Sequence, residues 1–260
     1  NTLNGNTTGN IDATNVTSLA SASISDIKTL LTAGNNSTNN FAATSFQSLA
    51  TVAVSDTTVS IADLNDAIAQ ANTATGFGIQ LGGNPTTTVF SVASGATITT
   101  GDEAAFSTLL TNESNGNIAI TDQNLTVSSG TISVDNANLL NATTTGTVTA
   151  AIDLTEDVDE LATLSGTGAY TIVIASGDAT GSTAAEFNTI NSATTVAIDA
   201  SEVTALASSN LSDVKTLLTA ANDTDQFTDS TGKVSFGGLT AVAIADATVD
   251  VSDFNDAVTQ

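Results

Sequence analysis

Apolar residues recur along this chain at two short spacings, which predict short helices and short strands. Residues 25–32 have the three-to-four spacing of a helix, and Ser25 is placed to cap it. The apolar positions that fall on one face of this helix are Ile24, Ile27, Leu30 and Leu31. Residues 52–54 and 58–61 alternate small apolar and hydroxyl side chains, an alternation typical of strands.

The same reasoning places further elements in the first half of the chain. It predicts a single helical turn over residues 15–20 and a helix over residues 63–71. Residues 76–100 hold two β-branched runs separated by Gly, Asn and Pro, which predicts strands joined by turns in a hairpin-like insertion. A helix over residues 102–110 follows.

From residue 117 onward the alternation of strand and helix tightens. The predicted strand–helix pairs are 131–134 with 135–141, 147–152 with 155–163, 170–174 with 183–190, and 194–198 with 201–207. Equivalent helix-core positions are Leu139, Leu161, Phe187 and Leu206, separated by 22, 26 and 19 residues. These separations are close to the roughly 20–29 residues of leucine-rich-repeat-like coils, although the LxxLxLxxN signature is absent. The expected fold is therefore an α/β repeat, an elongated right-handed solenoid of short parallel strands and short helices with a β-rich insertion.

The end of the chain repeats its beginning. Residues 11–34 and 198–221 are identical at 16 of 24 positions, and residues 45–70 and 235–260 at 13 of 26. We therefore divide the chain into four predicted parts. These are a partial repeat module over 1–75, the β-rich insertion over 76–130, β/α coils over 131–197, and a second partial module over 198–260.

Such short elements are predicted to depend on their neighbours. Isolated helices shorter than about 12–15 residues are marginal in water, so each coil must stack on the next. We expect another copy or another subunit to cover the end of the stack. The residues expected to carry this packing and assembly are Ile198, Val203, Leu206, Leu211, Val214, Leu217 and Leu218.

Composition narrows the class of protein. Ala, Val, Ile and Leu supply the core, because aromatic residues are 4% of the chain and Trp, Cys, Met and His are absent. The lack of Cys excludes disulfide scaffolds and thiol nucleophiles, and the lack of Met predicts a processed product or a segment of a longer polypeptide. No apolar run is long enough for a membrane span.

The net charge of −24 disfavours nucleic acid and anionic lipid as partners and favours cations such as Ca²⁺. Acidic residues recur where a strand gives way to a helix, at Asp63, Asp135, Asp157, Asp199, Asp250 and Asp253. Capping of the following helix explains acidic residues at these places, and Ca²⁺ coordination is the alternative explanation. The densest group, and the best candidate metal site, is Asp153, Glu156, Asp157, Asp159 and Glu160. Lys28 and Lys215 occupy equivalent positions and are expected to pair with carboxylates of a neighbouring coil.

Stretches such as TTVAIDASEVTALASSNLSDVKTLLTA and TTVSIADLNDAIAQA resemble the Thr/Ala/Asp-rich tandem repeats of very large secreted surface proteins of cyanobacteria and other marine bacteria. The resemblance implies an extracellular, non-enzymatic structural module of a cell-surface layer, filament or giant adhesin. Its partners would be copies of itself and, in an adhesin, cell-surface polysaccharide.

Two alternatives stay open. One is a cation-dependent carbohydrate-binding adhesin domain, in which the acidic loops make the contacts. The other is a polysaccharide-active enzyme with paired carboxylates. Scarce aromatic residues and the absence of Arg count against the enzyme, and the sequence offers no catalytic residue.

Overall fold

Short runs of β-branched and small residues form strands here because each pairs with a neighbouring strand. The computed structural model describes residues 6–35, 41–42, 45–46, 48–72, 87–175, 177, 179, 181–228, 236 and 238–259. In this part of the chain the strands alternate with helices and pair in parallel. The predicted α/β class with parallel strands is confirmed.

The described elements are short, and each helix follows one or two strands. The strands are β1 (Ser18–Ala22), β2 (Thr51–Val54), β3 (Thr58–Ser60), β4 (Val89–Val92), β5 (Thr97–Gly101), β6 (Ile118–Ala119), β7 (Asn124–Val127), β8 (Val148–Ala151), β9 (Ala169–Thr171), β10 (Ile198–Asp199), β11 (Ala205–Ser209), β12 (Phe227–Thr228) and β13 (Ala241–Ile244). The helices are α1 (Ile24–Asn35), α2 (Ile61–Asn72), α3 (Glu103–Ser114), α4 (Val134–Thr143), α5 (Val158–Leu161), α6 (Ala184–Ala193), α7 (Leu211–Ala221) and α8 (Val251–Thr259). We call a helix together with the strands before it a coil.

The chain forms two compact units. The first comprises residues 1–129 and 142–146, and the second comprises residues 130–141 and 147–260. Within the first unit the strand orders are β1-β2-β4-β6 and β3-β5-β7, and within the second the pairs are β8-β9, β10-β12 and β11-β13.

Successive coils are neighbours within each unit. In the first unit α1 packs on α2 and α2 packs on α3. In the second unit α6 packs on α5 and on α7, and α7 packs on α8. Strands follow the same rule, since β2 pairs with β4 along its whole length, from Thr51–Val89 to Val54–Val92. Most contacts of a coil are therefore with the coil before it and the coil after it.

The coil formed by β2, β3 and α2 has an apolar interior. Val52 and Val54 of β2 point inward, and α2 buries one face. The buried residues of this helix are Ile61, Leu64, Ala67, Ile68 and Ala71. Full burial of a Val, Leu or Ile side chain contributes about 1.5–3 kcal/mol, so these faces are a principal source of stability for short elements.

The two sequence copies make the same contacts, one in each unit. The pairings Ser18–Thr51 and Leu19–Val52 have their counterparts in Ala205–Ala241 and Leu206–Val242. In both copies the register then shifts by one residue, so that the next pairings are Ala22–Val54 and Ser209–Ile244. The repetition is therefore structural as well as sequential.

An unusual backbone conformation also recurs. Phe46 and Phe236, which are equivalent in the copies, have φ values of 63° and 64°. A positive φ is uncommon for a residue with a side chain, and strained for a bulky one. Each of these rings packs on a second phenylalanine, Phe41 in one copy and Phe227 in the other, with ring centroids 5.3 Å and 5.1 Å apart.

Two predicted helical segments are wrong. Residues 15–20 and 201–207 lead into strands β1 and β11 rather than forming helical turns. Their Ala, Ser and Leu residues suit either conformation, and parallel pairing with β2 and β13 decides between them.

The predicted cap Ser25 is also wrong. Helix α1 begins one residue earlier, and the Ser23 hydroxyl accepts a hydrogen bond from the Asp26 amide at 3.1 Å.

The predicted hairpin is wrong as well. Strands β4 and β5 do not pair with each other, because β4 pairs with β2 and β5 pairs with β3, both in parallel. The Gly and Pro turn that suggested the hairpin lies outside the described residues. Among the predicted helix-core positions, Leu139 is exposed while its neighbour Leu140 is buried, and Leu206 lies in strand β11.

Candidate assembly surface

The predicted packing residues lie in the interior of the second unit. Ile198, Val203 and Leu217 are fully buried, and Leu206, Leu211 and Val214 are nearly so, while Leu218 is half-buried. These side chains hold one coil to the next inside the chain. Because they are buried, they are not available to contact another molecule.

Helix α8 presents an apolar stripe to the exterior. Val251 is 73% exposed, Phe254 is 44% exposed and Val258 is 70% exposed. Their sequence equivalents in α2 are Ile61, Leu64 and Ile68, which are 0%, 0% and 1% exposed. The spacing of three and four residues puts the stripe on one side of the helix. We call Val251, Phe254, Asn255 and Val258 the α8 face.

The difference between the two helices comes from the coil that follows. Helix α2 is covered by strand β5 and helix α3, and the Asn65 side chain donates to the Ala105 carbonyl of α3 at 2.9 Å. Helix α8 is the last described helix of the second unit, and it packs on α7. The same apolar pattern is thus buried in one copy and open in the other.

Asparagine side chains bridge successive helices at one recurring position. Asn65 follows the buried Leu64, and Asn188 follows the buried Phe187. The Asn188 side chain donates to the Asp213 carbonyl of α7 at 3.0 Å. The asparagine that follows Phe254 is Asn255, which is exposed.

The first coil of the first unit is also less covered than its copy. Ile11, Val16 and Leu19 are half-buried, whereas Ile198 and Val203 are fully buried and Leu206 is 5% exposed. In the second unit the coil of α6 supplies the cover. The Ala207 amide donates to the Ser182 carbonyl at 2.8 Å, and α6 packs on both β11 and α7. We call Val16, Leu19 and helix α1 the α1 face.

The expected lysine pairing is confirmed in both copies. Lys28 contacts Asp63 at 2.6 Å and Asp66 at 2.9 Å. The hydrogen bonds that the Lys28 ammonium donates to these carboxylates raise the pKa of Lys28, and the one that it donates to Asp66 lowers the pKa of Asp66. Lys215 forms the equivalent pairs with Asp253 at 2.8 Å and Asp256 at 3.5 Å.

A carboxylate also caps the first helix of each copy from the next coil. Asp56 accepts a hydrogen bond from the Ile24 amide at 2.6 Å. Asp246 accepts one from the Leu211 amide at the same distance. We call each lysine with its two aspartates a lysine triplet. In both copies the triplet and the capping carboxylate join neighbouring coils.

The acids proposed as a metal site have separate partners. Asp153 accepts from the amide and hydroxyl of Thr155, at 2.9 Å and 3.0 Å, and these bonds lower its pKa. Glu156 accepts from the Val134 amide at 3.0 Å, and its pKa is raised chiefly by burial. Asp157 and Glu160 form a capping box at the start of α5. The nearby charge of Glu186 raises the pKa of Asp159.

The other acids at turns have similar local contacts. Asp199 accepts from the Ser201 amide at 3.0 Å, and Asp250 accepts from the Ser252 amide at 2.8 Å. Within the described ranges, no group of three or more acidic side chains is placed to hold a metal ion. Calcium binding stays a prediction.

A cleft of about 890 Å³ with mixed polar and apolar walls lies between α6, α7 and the residues that lead into α8. Its walls combine amides, hydroxyls and charged groups, including Asn188, Lys215, Thr219, Asp250 and Asp253. Among the described residues of the lining there is no aromatic ring on which a sugar could stack.

Comparison with protein-family models, with curated proteins and with solved structures found no match. None of the helices in the described ranges is both long and apolar enough to cross a bilayer.

Sequence reasoning missed the α8 face and the bridging asparagines. The signal was present in the alignment of the copies, where buried Ile61, Leu64 and Ile68 match Val251, Phe254 and Val258.

Proposed function

We propose that the protein is a non-enzymatic structural module that stacks end to end with copies of itself in an extracellular assembly. In this proposal the chain is an elongated right-handed solenoid whose coils continue from one molecule to the next. The observation that carries it is the repetition of the coil, since the two sequence copies make the same strand pairings and the same lysine contacts, one in each unit.

The energetics favour a further coil against the α8 face, as part of the same polypeptide or of a second copy. A nine-residue helix is below the length at which helices are stable alone. Covering Val251, Phe254 and Val258 would bury three large side chains, each contributing about 1.5–3 kcal/mol when taken fully out of water. Part of this gain offsets the entropy lost on association.

The charge supports an exposed, salt-containing environment. A net charge of −24 keeps separate molecules soluble and suppresses unspecific contact. Association is then restricted to surfaces where acids are few or already paired. The resemblance to the repeats of secreted surface proteins supports a surface layer, filament or adhesin as the assembled form.

The direct test is self-association of the purified chain. Sedimentation velocity over a range of protein concentrations should detect species larger than one chain. Electron microscopy of the most concentrated sample should show whether they are fibres or sheets. Small-angle scattering of the dilute protein should give the profile of an elongated particle. Persistently monomeric protein without fibres or sheets would contradict end-to-end stacking.

The second candidate is a carbohydrate-binding adhesin domain, which the hydrogen-bonding groups of the cleft favour. Amides, hydroxyls and carboxylates are the groups that hydrogen-bond sugar hydroxyls, and Asp250 and Asp253 could also contact a cation there. Calorimetric titration with acidic and neutral polysaccharides, with and without Ca²⁺, tests it. A calcium titration followed by thermal unfolding tests the cation alone, and an unchanged melting temperature would count against it.

A further inference from the structure

We propose that the side chain that bridges two successive helices decides which coil can follow. A lysine at the bridging position selects a coil whose helix carries two aspartates, whereas an asparagine there makes no demand on the side chains of the next coil. The inference does not depend on assembly with other molecules, because every contact that carries it lies inside the chain.

The bridging position is equivalent in four helices. It directly follows a buried apolar residue of the helix, which is Ile27, Leu64, Phe187 or Val214. The residues at this position are Lys28 in α1, Asn65 in α2, Asn188 in α6 and Lys215 in α7. Each of the four side chains donates a hydrogen bond to the first turn of the next helix.

An asparagine at the bridging position binds the main chain of the next helix. Asn65 donates to the Ala105 carbonyl at 2.9 Å, and Asn188 donates to the Asp213 carbonyl at 3.0 Å. One acceptor residue is apolar and the other is acidic, so the side chain of the acceptor does not decide the contact. Every residue has a carbonyl. The contact therefore sets no condition on the sequence of the next coil.

A lysine at the same position binds carboxylates instead, in the two lysine triplets. Both aspartates of a triplet lie on the next helix, three residues apart. Each lysine side chain is 28% exposed. An ammonium group that has lost part of its water is costly unless a charged partner replaces that water. The lysine therefore favours a coil with acids at both places.

The coil that follows a lysine supplies a third carboxylate to the same interface. Asp56 and Asp246 cap the first amides of α1 and α7, and each stands seven residues before the first aspartate of its triplet. At the interface of α6 with α7, which has an asparagine, the Ala184 amide donates to the Ser209 hydroxyl at 2.9 Å instead. Three acids at fixed spacing thus mark the coil that follows a lysine.

Such selection distinguishes coils that apolar packing alone does not. The buried positions of α2 and α3 share one spacing around Leu64 and Phe106, so both helices could pack on α1. A lysine beside a coil without these acids would be unpaired. A coil with all three acids beside an asparagine would leave them without a cation in a chain of net charge −24. The charges thus favour the correct neighbour and disfavour the wrong one.

Transplanting the acceptor side of α3 opposite Lys28 tests the selection. Helix α3 holds Ala105 and Thr108 at the two positions where α2 holds the triplet aspartates. The double variant Asp63→Ala with Asp66→Thr therefore gives α2 the side chains that follow an asparagine. We expect the α1 amides to exchange hydrogen about two- to fivefold faster in this variant, because the ammonium loses both partners.

A third substitution in the same chain completes the exchange. Lys28→Asn added to the double variant gives the interface the composition of the one between α2 and α3. We expect this triple variant to recover at least half of the lost protection in α1, because an asparagine needs only a carbonyl. Asp213→Ala is the matched control. It should leave the exchange of the α6 amides unchanged, since Asn188 binds the Asp213 carbonyl.

Three results would overturn the proposal. Unchanged exchange of α1 in the double variant would mean that the lysine does not select its neighbour. A triple variant no better protected than the double variant would mean that the position carries an ion pair and nothing more. A loss of protection in α6 on Asp213→Ala, as large as that in α1 of the double variant, would mean that the asparagine also depends on the acceptor side chain.

Discussion

Tyr170 is the residue whose environment is least expected from the sequence. Its ring is fully buried, and among the described residues its hydroxyl has no hydrogen-bond partner. Burial raises the pKa of this hydroxyl to about 12. A buried polar group without a partner costs about 1–3 kcal/mol, so Tyr170 weakens the core that its ring helps to fill.

Replacement of Tyr170 by Phe should therefore leave stability unchanged or raise it by up to about 1–3 kcal/mol in urea unfolding. The pH dependence has a definite sign. Since the unfolded tyrosine ionises near its ordinary pKa of about 10, stability of the native protein should fall from about that pH toward pH 12. Tyr170→Phe should remove this loss. A destabilised Tyr170→Phe variant would show that the hydroxyl has a partner.

The bridging asparagines make a second prediction at this scale. Asn188→Ala removes the hydrogen bond to the Asp213 carbonyl and should cost about 0.5–1.5 kcal/mol in the free energy of unfolding. Asn255→Ala is the matched control, because Asn255 is exposed in the single molecule. In dilute solution it should cost nothing measurable. Equal losses in both variants would mean that the side chain acts within its own helix.

At the scale of elements, two helices of similar sequence differ in burial. Helices α2 and α8 share their apolar spacing, yet one is covered by a following coil and the other is open. Burial is thus a property of the neighbouring coil as much as of the helix itself. This is why apolar spacing could predict the helices but could not predict which of them expose their stripe.

The lysine triplet joins neighbouring coils in the first unit and can be tested through Asp66. Lys28→Met should return the lowered pKa of Asp66 to its ordinary range, measured by carboxyl ¹³C chemical shifts. Because the native pKa is lowered, the stabilisation from Asp66 is present above its ordinary value and is lost as pH falls through the lowered one.

The expected cost of Lys28→Met in unfolding free energy is about 0–1 kcal/mol at neutral pH, since the carboxylates are half exposed. Lys215→Met should leave the titration of Asp66 unchanged, because Lys215 contacts Asp253 and Asp256 instead. An Asp66 pKa that is the same with and without Lys28 would contradict the assigned cause.

Much of the fold could be predicted from the order of short elements. Strands that give way at once to short helices predict parallel pairing, and the lysines predict contacts between coils. Strands β1 and β11 could not be predicted, because their Ala and Ser residues have weak preferences that strand pairing overrides. The open stripe could be located only after the copies were compared residue by residue with their burial.

At the scale of the whole molecule, charge opposes association and apolar surface favours it. Copies that each carry a net charge of −24 repel one another, and salt screens that repulsion over about 8 Å at physiological ionic strength. Association should therefore strengthen as sodium chloride rises from about 20 mM to about 500 mM, measured by sedimentation. Weaker association at high salt would indicate a junction held by ion pairs instead.

The central claim is that each coil is held in place by the next, within a molecule and between molecules. Hydrogen exchange of the α2 and α8 amides, compared in dilute and concentrated solution, tests it most directly. We predict that α2 is protected at both concentrations, whereas α8 exchanges rapidly when dilute and becomes protected as concentration rises. If α8 in dilute solution were as protected as α2, or if its protection did not change with concentration, the claim would be contradicted.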